Sequence, residues 1–143
     1  MVNVSRTFVV DRPVDVVVAY LADFGNAEQW DPGTQSSTRQ DSGPVQVGSS
    51  WANVSKILGR ETDLTYRLER LEANRVTLVG RNDTATSTDD ITVRPSGSGS
   101  EITYESTVDL HGLAKLGTPV MKMEMERLGR ATEKQLIEAI NAL

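Results

Sequence analysis

Residues 118 to 143 read TPVMKMEMERLGRATEKQLIEAINAL. Thr118 suits an N-cap, and Pro119 suits the first helical position, where the N–H it lacks would have no partner anyway. Met121, Met125, Leu128, Thr132, Leu136, Ala139 and Leu143 then recur at steps of four or three, which lays one nearly unbroken stripe along a helix. From Thr118 to Ala142 such a helix is about 37 Å long at about 1.5 Å per residue, close to the roughly 33 Å of a ten-residue strand. It is long enough to cross a whole sheet, so the rest of the chain must be asked for that sheet.

The other end of the chain supplies its first strand. Val2, Val4, Phe8 and Val10 share one parity with Arg6, while Asn3, Ser5 and Thr7 take the other, the alternation of a half-buried strand. Pro13 opens a short helix carried by Val14, Val17, Val18 and Leu21. Asp23, Gly25 and Asn26 break it, residues 27 to 29 allow one more turn, and Trp30-Asp31-Pro32 forces an extended exit with Trp30 as a core plug.

Six strands follow, at Thr34 to Gln40, Gly48 to Leu58, Glu61 to Leu71, Arg75 to Arg81, Thr84 to Arg94 and Glu101 to Leu110. The links between them are too short for parallel crossovers, so the strands form an antiparallel meander. Ser96 to Ser100 reads as a mobile hairpin tip rather than a linker, and residues 1–143 as a single domain. The fold class is therefore α+β: a curved seven-stranded antiparallel sheet wrapped around a long C-terminal helix, with two short helices between strands one and two.

Composition excludes several functions. The net charge of −5 and the interleaving of Arg67, Arg70 and Arg75 with Glu61, Asp63, Glu69 and Glu72 leave no basic patch for nucleic acid. Cysteine is absent and there is one histidine, which removes disulfides, thiolate nucleophiles and the usual zinc sites. The N-terminal MVNVSRTFVV lacks the features of a signal peptide and no apolar run reaches a membrane span, so a cytoplasmic protein is expected. Neither a nucleophile elbow nor a phosphate or dinucleotide loop is present, and no cofactor is expected.

A curved sheet and a straight helix cannot touch everywhere, and two Phe, three Tyr and two Trp are few side chains to fill the gap. A pocket is the expectation, with Met121, Met123 and Met125 at the start of the lid helix as adaptable thioethers. Inward parity is assigned to Leu64, Tyr66 and Leu68; to Val76, Leu78 and Gly80; to Ile91 and Val93; and to Ile102, Tyr104, Ser106, Val108 and Leu110.

The order of these pieces resembles the SRPBCC superfamily (START and Bet v 1-like), and within it the small bacterial proteins of polyketide cyclase/dehydratase type. The resemblance rests on VDRPVDVVVAYLADFGNAEQWDPG at residues 10 to 33, VGSSW at 47 to 51, and the strand, HGLAKLGTP linker and long helix at the end. It implies a helix-grip fold with a deep apolar cavity, used by relatives for lipids, sterols, polyketides or plant hormones. Members range from carriers to cyclases, and some similar small proteins are toxin components.

The resulting expectation is a protein that binds an apolar small molecule through Tyr66, Leu68, Leu78, Ile91, Tyr104, Met121, Met125 and Leu128, with Arg6 reaching in as a polar tip. A cyclase or dehydratase that moves protons with His111, Tyr66 or Tyr104 is one alternative, with His111 weighed against a plain turn histidine. A regulatory or toxin-type interaction protein with a protein partner and an exposed apolar patch is another. Asp89 and Asp90 must point to opposite faces; whichever points inward has its pKa raised by burial, with Arg6 as the partner it would need. Parity leaves Trp51 on either face.

Overall fold

The computed structural model describes residues 1–143. Strand β1, Val2–Val10, buries Val2, Val4, Phe8 and Val10, as its alternation requires. Helix α1, Val14–Ala22, follows Pro13 and buries Val17, Val18, Tyr20, Leu21 and Ala22. A 3-10 turn at Phe24–Asn26 begins where Asp23 Oδ1 accepts the Gly25 N–H at 3.0 Å, and α2, Ala27–Trp30, completes the corner with Trp30 fully buried.

The remaining strands are β2 Thr34–Arg39, β3 Ser50–Ile57, β4 Arg60–Glu72, β5 Arg75–Arg81, β6 Ala85–Ser96 and β7 Gly99–Leu110. They form one seven-stranded sheet in the order β1-β7-β6-β5-β4-β3-β2, antiparallel throughout. The register breaks between Leu68 and Arg70 on β4 and between Thr34 and Ser36 on β2, and such bulges bend a sheet. A second 3-10 segment, Gly112–Gly117, leads into α3, Thr118–Asn141. No helix is long and apolar enough to cross a membrane.

Three details depart from the sequence reading. The hairpin after β6 is tighter than a five-residue mobile tip: Ser96 pairs with Gly99, and Gly97 supplies the positive φ of 57° that the turn needs. Gly117, not Thr118, is the N-cap of α3, because the Thr118 hydroxyl turns back to donate to the Lys115 carbonyl at 2.7 Å. The buried face of α3 is Glu124, Met125, Gly129, Thr132, Leu136 and Ile140, so the stripe runs beside the expected one, and Leu143 is half exposed. Gly129 explains the rotation: a Cβ there would stand 2.7 Å from Val4 Cγ1, so this bare side of the helix is the one that lies against β1.

Nor does α3 cover the sheet alone. It packs on β1 and α2, while α1 lies over β5, β6 and β7. A core of 22 buried residues, including Val17, Leu21, Phe24, Trp30, Leu68, Leu78, Ile91, Leu136 and Ile140, fills the half that α1 and the end of α3 cover. In the other half only Val2, Val4 and Met125 cluster, with Val108 and Met121 against them, and there the space stays open.

Candidate ligand cavity

That open half holds a cavity of about 350 Å³, within the usual range for a small-molecule site. Its roof is the first half of α3, through Met121, Met125, Leu128, Gly129 and Thr132. Ile57, Leu58, Arg60, Thr62 and Leu64 wall it at the β3–β4 hairpin, and Ala85, Val108 and Leu110 at the ends of β6 and β7. The floor is polar: Tyr66, Ser87, Asp89, Tyr104 and Ser106, with Asp31 from the corner after α2.

Strand register builds this floor. Leu68, Leu78, Asp89, Ser106 and Val4 form one row across the sheet, and Tyr66, Gly80, Ser87, Val108 and Val2 form the next. Gly80 is required there, because a Cβ would stand 2.5 Å from the Tyr66 ring that lies over it. The Tyr66 hydroxyl donates to Ser87 Oγ at 3.2 Å, and Tyr104 donates to Asp89 Oδ1 at 3.0 Å. Both rings are braced from behind. Phe24 stacks on Tyr66 at 4.2 Å, and Trp30 meets Tyr104 edge-on at 6.1 Å. The indole N–H groups of Trp30 and Trp51 find no partner in their buried sites.

Asp89 is 3% exposed. Burial first, and the nearby Asp31 charge second, push its pKa up to about 7, against the bond from Tyr104 and a smaller easing by Ser106. Asp31 is also raised by burial, although it accepts the Gly33 N–H at 3.1 Å and the Thr34 hydroxyl at 2.9 Å. Burial, then Asp89 and Asp31, hold the Tyr66 and Tyr104 phenols well above their usual value. Near neutrality the floor therefore offers two phenols and a carboxyl able to give or take a proton.

Of the residues expected at the site, Tyr66, Tyr104, Met121, Met125 and Leu128 line this cavity. Leu68, Leu78 and Ile91 do not: they are fully buried in the filled core, Leu78 and Ile91 on the strands that α1 covers and Leu68 paired beside Leu78. Arg6 does not reach in either. Its place on the edge strand β1 turns the guanidinium to α3, where it donates to both oxygens of Glu133 at 3.3 Å. The expected Arg6 partnership with the inward aspartate is thus replaced by the Tyr104 hydroxyl. Asp89 is the inward one, while Asp90 faces out and takes Arg75 on both oxygens at 2.9 and 2.7 Å.

His111 is not among the residues lining the cavity; its Nε2 lies 3.2 Å from the Thr86 hydroxyl. Trp51 is resolved inward and fully buried. The sequence reading missed Asp31 and Ser87 as floor residues and left open which of Asp89 and Asp90 points inward. The parity that places Ile91 and Val93 inward also carries Ser87 and Asp89, so that signal was present; Asp31 sits in an irregular corner with no periodicity to read. Leu113 and Leu116 in the 3-10 segment and Met123 early in α3 are 88%, 84% and 74% exposed, an outer apolar run.

Sheet, gripping helix and apolar cavity with a polar floor together define a START-like helix-grip protein. Over residues 1–140 the chain matches the family described as polyketide cyclase / dehydrase and lipid transport, and it belongs to that family. Three solved structures share its fold. Protein TTHA0849 from Thermus thermophilus is 15% identical with a TM-score of 0.81, over 98% of this chain and 97% of that one. A START superfamily protein from Mycobacterium smegmatis is 14% identical with a TM-score of 0.81, over 98% and 97% of the two chains. The Zhui aromatase/cyclase from a Streptomyces species is 14% identical with a TM-score of 0.79, over 96% and 92%. No curated protein matches the sequence.

Proposed function

We propose that residues 1–143 act as one domain that binds an apolar small molecule, of lipid, sterol or polyketide type, between the sheet and α3. The observation that carries this reading is the cavity of about 350 Å³ with aliphatic and thioether walls and a small polar floor. A site of that make-up draws affinity from apolar burial and orientation from a few fixed polar groups. Tyr66, Tyr104, Met121, Met125 and Leu128 are the proposed contacts, joined by Asp89 and Ser87. The family's description, which includes lipid transport, agrees with it.

The test is Met125→Trp. Met125 is 6% exposed and belongs to the roof, so an indole in its place would occupy the cavity without touching the filled core. Amide NMR titration with a sterol and an aromatic polyketide-like phenol is expected to give saturable shifts in α3 and the inner strands of the native protein. The variant should keep its dispersed spectrum and lose affinity at least about tenfold, about 1.4 kcal/mol. Undiminished affinity in a folded variant would place the ligand elsewhere.

A further inference from the structure

The cavity has a charge asymmetry that an apolar ligand alone does not explain. Two of its lining side chains are carboxyls, Asp89 and Asp31, and its one basic lining residue, Arg60, is exposed at the hairpin end. The other cation that could have served, Arg6, is engaged by Glu133. Tyr104 donates to Asp89 Oδ1, and beyond it only the Ser106 hydroxyl eases the carboxyl, so neutral hydroxyls and no cation meet this cavity-lining acid. A carboxylate so buried, with no cation in reach, is costly in the free protein. A ligand that brings the missing cation would offset that cost.

We propose that the cavity takes an apolar molecule bearing a basic nitrogen, its ammonium paired with Asp89 and its apolar part against Met125, Leu128 and Val108, and that it disfavours apolar carboxylates. The inference rests on the proposal that this cavity binds an apolar small molecule. A carboxylate would add a third negative charge to a site that already holds two acids, whereas an ammonium neutralises one of them. The titratable and charged groups that line the cavity with Asp89 are Asp31 from the corner after α2, Tyr66 from β4, Tyr104 from β7 and Arg60 at the hairpin end; Ser106 from β7, Val4 from β1 and the α3 roof are uncharged.

Calorimetric titration of the intact chain with octylamine, octan-1-ol and octanoate tests this, since the three probes share one chain length and differ at the head. At about pH 8, where an alkylammonium remains charged as a lysine does, octylamine should bind at least about tenfold more tightly than either of the others. At about pH 6 its advantage should shrink as Asp89 takes up a proton, while octan-1-ol stays unchanged. In Asp89→Asn the preference for octylamine over octan-1-ol should vanish. Octan-1-ol or octanoate binding as tightly as octylamine to the native protein overturns the inference and leaves the cavity reading standing. Binding of none of the three overturns both. The ranking on the native protein decides the matter even if the variant does not fold.

Discussion

Asp89 is a residue the fold tolerates at a cost. Its carboxyl sits at about 7 against an ordinary 3.8, so between those values the folded protein holds a proton that the unfolded chain releases. Stability should therefore fall as pH rises from about 4 to about 7 and level off above; Asp31, raised for the same cause, adds in the same direction. At about 1.4 kcal/mol per pH unit, the Asp89 share is at most on the order of 4 kcal/mol. Asp89→Asn keeps an oxygen for the Tyr104 hydroxyl and removes the ionisation. Urea unfolding should find it close to the native protein at about pH 4 and more stable by up to about 4 kcal/mol at about pH 8. A variant less stable at both values would show that the ionised carboxylate is not a cost in the fold.

Helix α3 is fastened differently at its two ends. At its C-terminal end Arg12 donates to the Asn141 carbonyl at 2.6 Å and to the Leu143 carbonyl at 2.7 and 3.1 Å, which satisfies acceptors that a helix end leaves open. Leu136 and Ile140 are fully buried beside that end. Over the cavity the main polar tie is Glu124, whose Oε2 accepts the Leu58 N–H at 2.9 Å while Arg127 donates to its Oε1 at 2.6 Å. Arg127 foremost, and the Leu58 amide after it, hold the Glu124 carboxyl below its ordinary range, so the tie is complete above that range and weakens as pH falls below it. Leu58 itself sits at φ 54°, a left-handed conformation that a leucine adopts only when held. Glu124→Ala should speed hydrogen exchange of the Leu58 amide about tenfold and leave the Leu136 and Ile140 amides unchanged; equal protection at Leu58 would mean the hairpin holds itself. The sequence shows α3 as an element clearly, through Pro119 and its apolar spacing, yet not the face it buries. Gly129 sets that face by what it lacks, and its neighbour Val4 lies far away in the chain. Strand parity likewise carries Tyr66, Tyr104 and Asp89 to the inner face, but nothing local says that α1 would cover Leu78 and Ile91 and leave the tyrosines at the cavity.

Across the whole molecule, burial is unequal: one half of the space inside the sheet is filled by α1, the aromatic corner and the end of α3, and the other half holds the cavity. Local stability follows buried apolar contact, so opening should be easiest where the roof has least beneath it. The 3-10 segment Gly112–Gly117 buries no residue, and the first turns of α3 rest on Met121, Met125 and Leu128 above open space. Hydrogen exchange should run in that order, fastest from the 3-10 segment through the first half of α3 and at the β3–β4 tip, slowest in β5, β6 and the second half of α3. A ligand that binds only the folded form stabilises by mass action, by about 2.7 kcal/mol at a hundredfold excess over its Kd. Because the open half is the part it completes, a cavity ligand should slow exchange in the roof and hairpin more than it slows the filled half. Octan-1-ol with exchange read by mass spectrometry is a direct check. Protection spread evenly over the chain would mean that the two halves open together, and protection centred on Leu113, Leu116 and Met123 would move the binding site to the outer apolar run.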